Sequence, residues 1–307
     1  MRASTLETSY LILLLLLSTP MAKAEVARPL CTSIFSTNSE LRIQKKIQID
    51  LNVVTQAPKA EEFQKTLSEI DQLLGPLAIP EKVEVSVGKN LIFSGFNFSN
   101  FKIFVGLKQD RARNSHPRLN QFTLAHEYGH AIFEENLLRD SPEFKLFREN
   151  LLKAGPGMWP SQGMIINNAY HEFFADAMAL IWSRDPKVMS KLLPPKEIQQ
   201  YSSADLARRD FTSGRNHQSR QNWARLDVQH NEYLVLLPAR WELWNITKNK
   251  IKSENYRKTL AGKIFAILKS EVVDLLAQEA LSPTPATLQD IQMRNQRLIE
   301  AFRRELQ

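Results

Sequence analysis

Two histidines and a glutamate within LNQFTLAHEYGHAIFEENLL, residues 119–138, stand at a spacing that can do chemistry: His126, Glu127 and His130. On a helix, residues four apart lie one above the other, so His126 and His130 can present their imidazoles to a single ion. Zinc accepts such nitrogens at about 2.0–2.1 Å in tetrahedral geometry. Glu127 is rotated from His126 by about 100°, given 3.6 residues per turn. It can approach a water on the ion without ligating the ion, which is where a general base belongs. Gly129 adds a packing argument, because glycine inside a helix costs roughly 0.5–1 kcal/mol relative to alanine and implies a close neighbour on that face.

A third donor must come from elsewhere. The extended metzincin pattern would need Gly at 133 and His at 136, where this chain has Phe133 and Asn136. Glu134 and Glu135 continue around the same helix, cannot fold back onto the ion, and are expected to be solvated charges. The next helical segment is NNAYHEFFADAMALIW, residues 167–182, where Glu172 and Asp176 are four apart and share a face. Either could ligate an ion while the other holds a ligand imidazole by hydrogen bonding. His171 points about 100° away from Glu172 and is expected to face solvent or pack rather than ligate.

HEYGH followed by EFFAD resembles the gluzincin metallopeptidases, the thermolysin-like clan, over residues 119–182. The resemblance implies that His126, His130 and Glu172 bind Zn2+, that Glu127 is the catalytic base and that Asp176 orients His126. Its 42-position interval from His130 to Glu172 is longer than in thermolysin, and the Gly/Pro-rich stretch around 154–164 can absorb the insertion. The clan also places a downstream histidine, paired with an aspartate, at the developing oxyanion. RLDVQHNEYLVLLPARWELW offers His230 with Asp227 for that role, and Tyr233 as another donor. Zinc in such a site lowers the pKa of water from about 15.7 toward about 7 and polarises the scissile carbonyl.

Upstream, the pattern is that of strands. Ile47, Ile49, Leu51 and Val53 alternate, as do Val83, Val85 and Val87, and then Phe101, Ile103 and Val105, each run reading as a half-buried strand. Phe63, Leu67, Ile70 and Leu74 recur at helical spacing until Gly75-Pro76 stops the helix. From Leu119 the chain turns helical, with breaks around 154–164, at PPKE near 194 and at SPTP near 282. The expected class is α+β and zincin-like: a strand-rich part at 25–115, active-site helices at 116–185 and a helical part at 186–307, together one catalytic unit. A bound peptide is expected along the edge of the FKIFVGL strand.

The chain starts with Arg2, an apolar block from Leu11 to Leu17, and then STPMAKA. This order describes a secretory signal peptide over residues 1–24, cleaved after Ala24, and the apolar block is too short to span a bilayer. The expected location is therefore secreted or periplasmic, without membrane insertion. The remaining 283 residues carry +6, a mild excess. Arg208, Arg209, Arg215, Arg220 and Arg225 cluster, and such a run reads as a solvated face more readily than as a nucleic-acid site. With one cysteine, Cys31, no internal disulfide is possible and packing must supply stability. The expected activity is a zinc metallopeptidase acting on peptide or protein substrates. Two rivals remain: a catalytically silent, zinc-stabilised binding protein, and a cationic surface-binding protein that uses the arginine run.

Overall fold

Hydrophobic periodicity and chain breaks set out the elements seen in the computed structural model, which describes residues 47–50, 60–81, 83–88, 94–106, 118–154, 162–191, 209–212, 232–281 and 287–307. The described residues mix helix and sheet and are mostly helical. They hold strands β1 (Ile47–Asp50), β2 (Val83–Gly88), β3 (Gly95–Asn97) and β4 (Lys102–Gly106). The helices are α1 (Ala60–Asp71), α2 (Leu119–Asp140), α3 (Pro142–Ala154), α4 (Gln162–Ser183), α5 (Leu237–Thr247), α6 (Glu254–Leu281) and α7 (Leu288–Leu306). All belong to one compact unit, Cys31–Gln307. No helix among them is long and apolar enough to cross a membrane. The expected signal peptide and Cys31 lie outside the described residues, as do the arginines of the basic run apart from Arg209.

The sheet runs β1-β2-β4-β3, with β1, β2 and β4 parallel and β3 antiparallel to β4. Two expectations change here. FKIFVGL is not an edge: β4 is flanked by β2 and β3, so the edge on that side belongs to β3, which the alternation did not reveal. β4 is also buried on both faces, since Phe104 is enclosed along with Ile103 and Val105. That suits a strand in a parallel pair covered by helices. Phe101 precedes the strand and takes φ +53°, turning the chain from β3 into β4.

Helix α1 buries Phe63, Leu67 and Ile70 on one stripe and stops before Gly75, whose φ of +58° is the left-handed turn that suits glycine after a helix. The core lies between α2 and α4, which make the most extensive helix contact in the molecule. From Ala169 to Trp182 every residue of α4 is buried, so this helix is enclosed on all sides, with His171, Glu172 and Asp176 among its buried residues. Its other side meets α6, while α7 packs on α5 and places Phe302 against Phe173 of α4, ring centroids 5.7 Å apart. The two inner helices approach closely because Gly129 lacks a side chain. A Cβ there would stand 2.7 Å from Ala175 Cα, the close neighbour its position in the motif implied.

Candidate metal centre

Burial of α2 against α4 turns the polar residues of both helices toward each other inside the core. His126, Glu127, His130, Glu172 and Asp176 are 4%, 4%, 1%, 3% and 0% exposed, so each needs a partner within the protein. His126 Nε2 and His130 Nε2 are 3.2 Å apart. His126 Nε2 lies 3.4 Å from Glu172 Oε2, and His130 Nε2 lies 3.4 Å from Glu172 Oε1. Bonds of 2.0–2.1 Å in a tetrahedron put ligand atoms roughly 3.3–3.4 Å apart. The two imidazole nitrogens stand close to that separation from each other, and each stands so from one oxygen of Glu172, a different oxygen for each ring; among the described residues the three form the group that could hold a metal ion. Two nitrogens and a carboxylate are a donor set that suits zinc, and three protein ligands leave one position for water or substrate.

Around these donors is a shell that fixes their orientation. Asp176 Oδ1 is 3.0 Å from His126 Nδ1, so it can accept the ring proton and leave Nε2 as the ligand atom. Arg209 Nη2 donates to both Glu172 Oε2 at 2.8 Å and Asp176 Oδ1 at 2.7 Å. Arg240, fully enclosed, donates to Asp176 Oδ2 and to the Tyr233 carbonyl. Tyr233 in turn lies under Arg209, ring centroid 4.2 Å from the guanidinium carbon. Glu232 accepts a 3.0 Å hydrogen bond from Asn168, one helical turn before Glu172.

The electrostatics follow from this crowding. Burial alone would lower the His126 pKa, but hydrogen bonds to Asp176 and Glu172 outweigh it and raise the value to about 10. Burial likewise disfavours the charge on Asp176, yet Arg209 and Arg240 hold it at about 2. Glu172 is pulled well below the ordinary carboxylate range, against burial, by His130 and Arg209. Glu127 goes the other way: burial lifts it, only partly opposed by the two imidazoles, and a raised carboxyl suits a group that must take up a proton and release it. Glu232 is pushed up to about 7, first by burial and then by repulsion from Glu172.

The expected site residues on α2 and α4, namely His126, Glu127, His130, Glu172 and Asp176, are therefore brought together. His230 and Asp227 lie outside the described residues; Tyr233 is buried beside Arg209. Two expectations are corrected. Glu134 is not solvated: it is fully buried and takes two 2.7 Å bonds from Arg148 of α3. Arg209 is not on a solvated face but inside the site. His171 takes the packing alternative expected of it: it lies among Phe98, Phe133 and Phe144, and burial holds its pKa well below the usual histidine value. Sequence reasoning also missed Arg240, Asn168 and Glu232. A lone cation in the apolar run LVLLPARWELW was the available signal for Arg240, since a buried guanidinium requires an anion. No protein-family model matches this sequence, and no curated protein or solved structure is significantly similar to it.

Proposed function

We propose that this chain is a zinc-dependent metallopeptidase of the gluzincin type, exported by its N-terminal signal and acting on peptide or protein substrates. One observation carries the reading: His126, His130 and Glu172 converge from two helices with their donor atoms close enough to share one ion, and Glu127 stands beside them in the sequence. A zincin-like arrangement is supported by the parallel sheet whose antiparallel strand β3 lies against α2, with Phe96 of β3 stacked parallel to the His130 ring at 6.5 Å. In this reading an extended substrate adds to β3 rather than to β4.

His126, His130 and Glu172 hold the zinc, which when bound supplies Lewis acidity to water and to the scissile carbonyl. Glu127 takes a proton from the attacking water on its carboxylate and passes it to the departing amine nitrogen. Asp176 keeps the His126 proton on Nδ1, and Arg209 and Arg240 keep Asp176 ionised while it does so. By the family resemblance alone, His230 paired with Asp227 is the proposed donor to the developing oxyanion.

Glu127→Gln tests the proposal. The variant should retain one zinc per chain and lose chelator-reversible cleavage of an unfolded protein by at least about 100-fold. The near-complete burial of all three donors favours one alternative, a zinc-stabilised binding protein without turnover. That alternative is upheld, and the peptidase overturned, if the wild-type protein holds zinc but cleaves no member of an unfolded protein mixture.

A further inference from the structure

Helix α4 carries three polar residues in one row, each a turn apart: Asn168, Glu172 and Asp176. The last two are engaged by the imidazoles of α2 and by the two guanidinium groups. Asn168 is partly exposed, and its Nδ2 donates to Glu232 Oε2. Glu232 is held near the donors from two directions. Its hydrogen-bond partner is one turn from Glu172, and its neighbour in sequence, Tyr233, underlies Arg209, which itself bonds Glu172.

Among the described residues Glu232 has no cation paired to it. The field of Arg209 reaches it, but Nη2 of that residue is engaged by Glu172 and Asp176, and no ion pair joins Arg209 to Glu232 among the described residues. The neutral Asn168 amide is its hydrogen-bond partner there, and Glu172 repels it. A half-enclosed carboxylate that is still open to solvent, and already positioned by an amide, is ready to receive a charged donor from outside.

We propose that Asn168 and Glu232 form a subsite for a primary ammonium group of the substrate, beside the metal centre. The ammonium would donate to the Glu232 carboxylate while Asn168 holds that carboxylate in place. Two sources share this chemistry, the α-ammonium of a peptide N-terminus and the side chain of a lysine flanking the scissile bond. The inference rests on the metallopeptidase reading for what the subsite serves; the ammonium contact itself stands on Asn168 and Glu232.

Three small probes test it by calorimetry on the zinc-loaded mature protein: L-leucinamide, Nα-acetyl-L-lysinamide and the neutral N-acetyl-L-leucinamide. One cationic probe should bind at least about ten-fold tighter than the neutral one, a difference of about 1.4 kcal/mol. Preference for leucinamide assigns the N-terminal amine, and preference for the lysine derivative assigns the side chain. Glu232→Gln, which keeps an acceptor for Asn168, should bring the preferred probe to within two-fold of the neutral one at unchanged zinc content. Glu232→Lys, which places the chain's own ammonium there, should do the same. Equal affinity of the wild-type protein for all three probes overturns the inference whatever the variants do, and so does a preference that survives both substitutions. If cationic preference depends on Glu232 but no peptide is cleaved, the subsite stands and the peptidase reading falls.

Discussion

At the scale of single residues, the imidazole of His126 couples the ion site to pH. Its folded-state value of about 10 exceeds the ordinary 6.5 because Asp176 and Glu172 favour its proton. A value raised on folding contributes stability that is complete below the unfolded value and is lost as pH climbs through the folded one. Chelator-treated protein should therefore lose stability between pH 6.5 and about 10, read as a falling denaturant midpoint, and zinc affinity should rise across the same window as the competing proton leaves. The two histidines and the Glu172–Asp176 pair were legible in the sequence because each spacing is local, i to i+4 within α2 and again within α4; that the two pairs meet across 42 positions rested on the family resemblance. Glu134 and Arg209 were not, because what decides their burial is a partner 14 residues away in one case and 33 and 37 away in the other. Nothing in the periodicity of either segment encodes those pairings.

At the scale of elements, the separation of α2 and α4 sets the site. Gly129→Ala gains helix propensity worth roughly 0.5–1 kcal/mol. The added methyl would press on Ala175 Cα at 2.7 Å and Met178 Cβ at 3.2 Å, and the first of these is backbone that cannot turn aside. Overpacking of this kind costs about 1–3 kcal/mol, so the loss exceeds the gain. The variant should melt lower and, because the donors sit on opposite helices, bind zinc more weakly; a thermal melt with and without zinc reads both effects. α1, α4 and β2 were legible from their apolar spacing. β3 was not, since three residues are too few to show a period, and with it went the identity of the sheet edge.

At the scale of the whole molecule, the C-terminal helices buttress the site from behind. Phe302 of α7 stacks on Phe173, which adjoins Glu172, and Asn295 bonds the Val235 carbonyl and the Ala239 amide beside Arg240. Phe302→Ala should cost about 3–5 kcal/mol as a buried aromatic and should weaken zinc binding although the residue touches no donor. Chelator competition on the folded variant measures that second effect. The sequence places these helices in order along the chain, but which face of α7 meets which neighbour depends on the completed core.

The donors, the carboxylate that steadies them and the two guanidinium groups are drawn from positions 126 to 240. A ribosome delivers these in order, so His126 is made long before Arg240 and spends that interval without the partner of its partner. Ion uptake by this chain would accordingly be a late event in its biogenesis. On the proposed export, loading falls on the far side of the membrane, with whatever ions that compartment supplies.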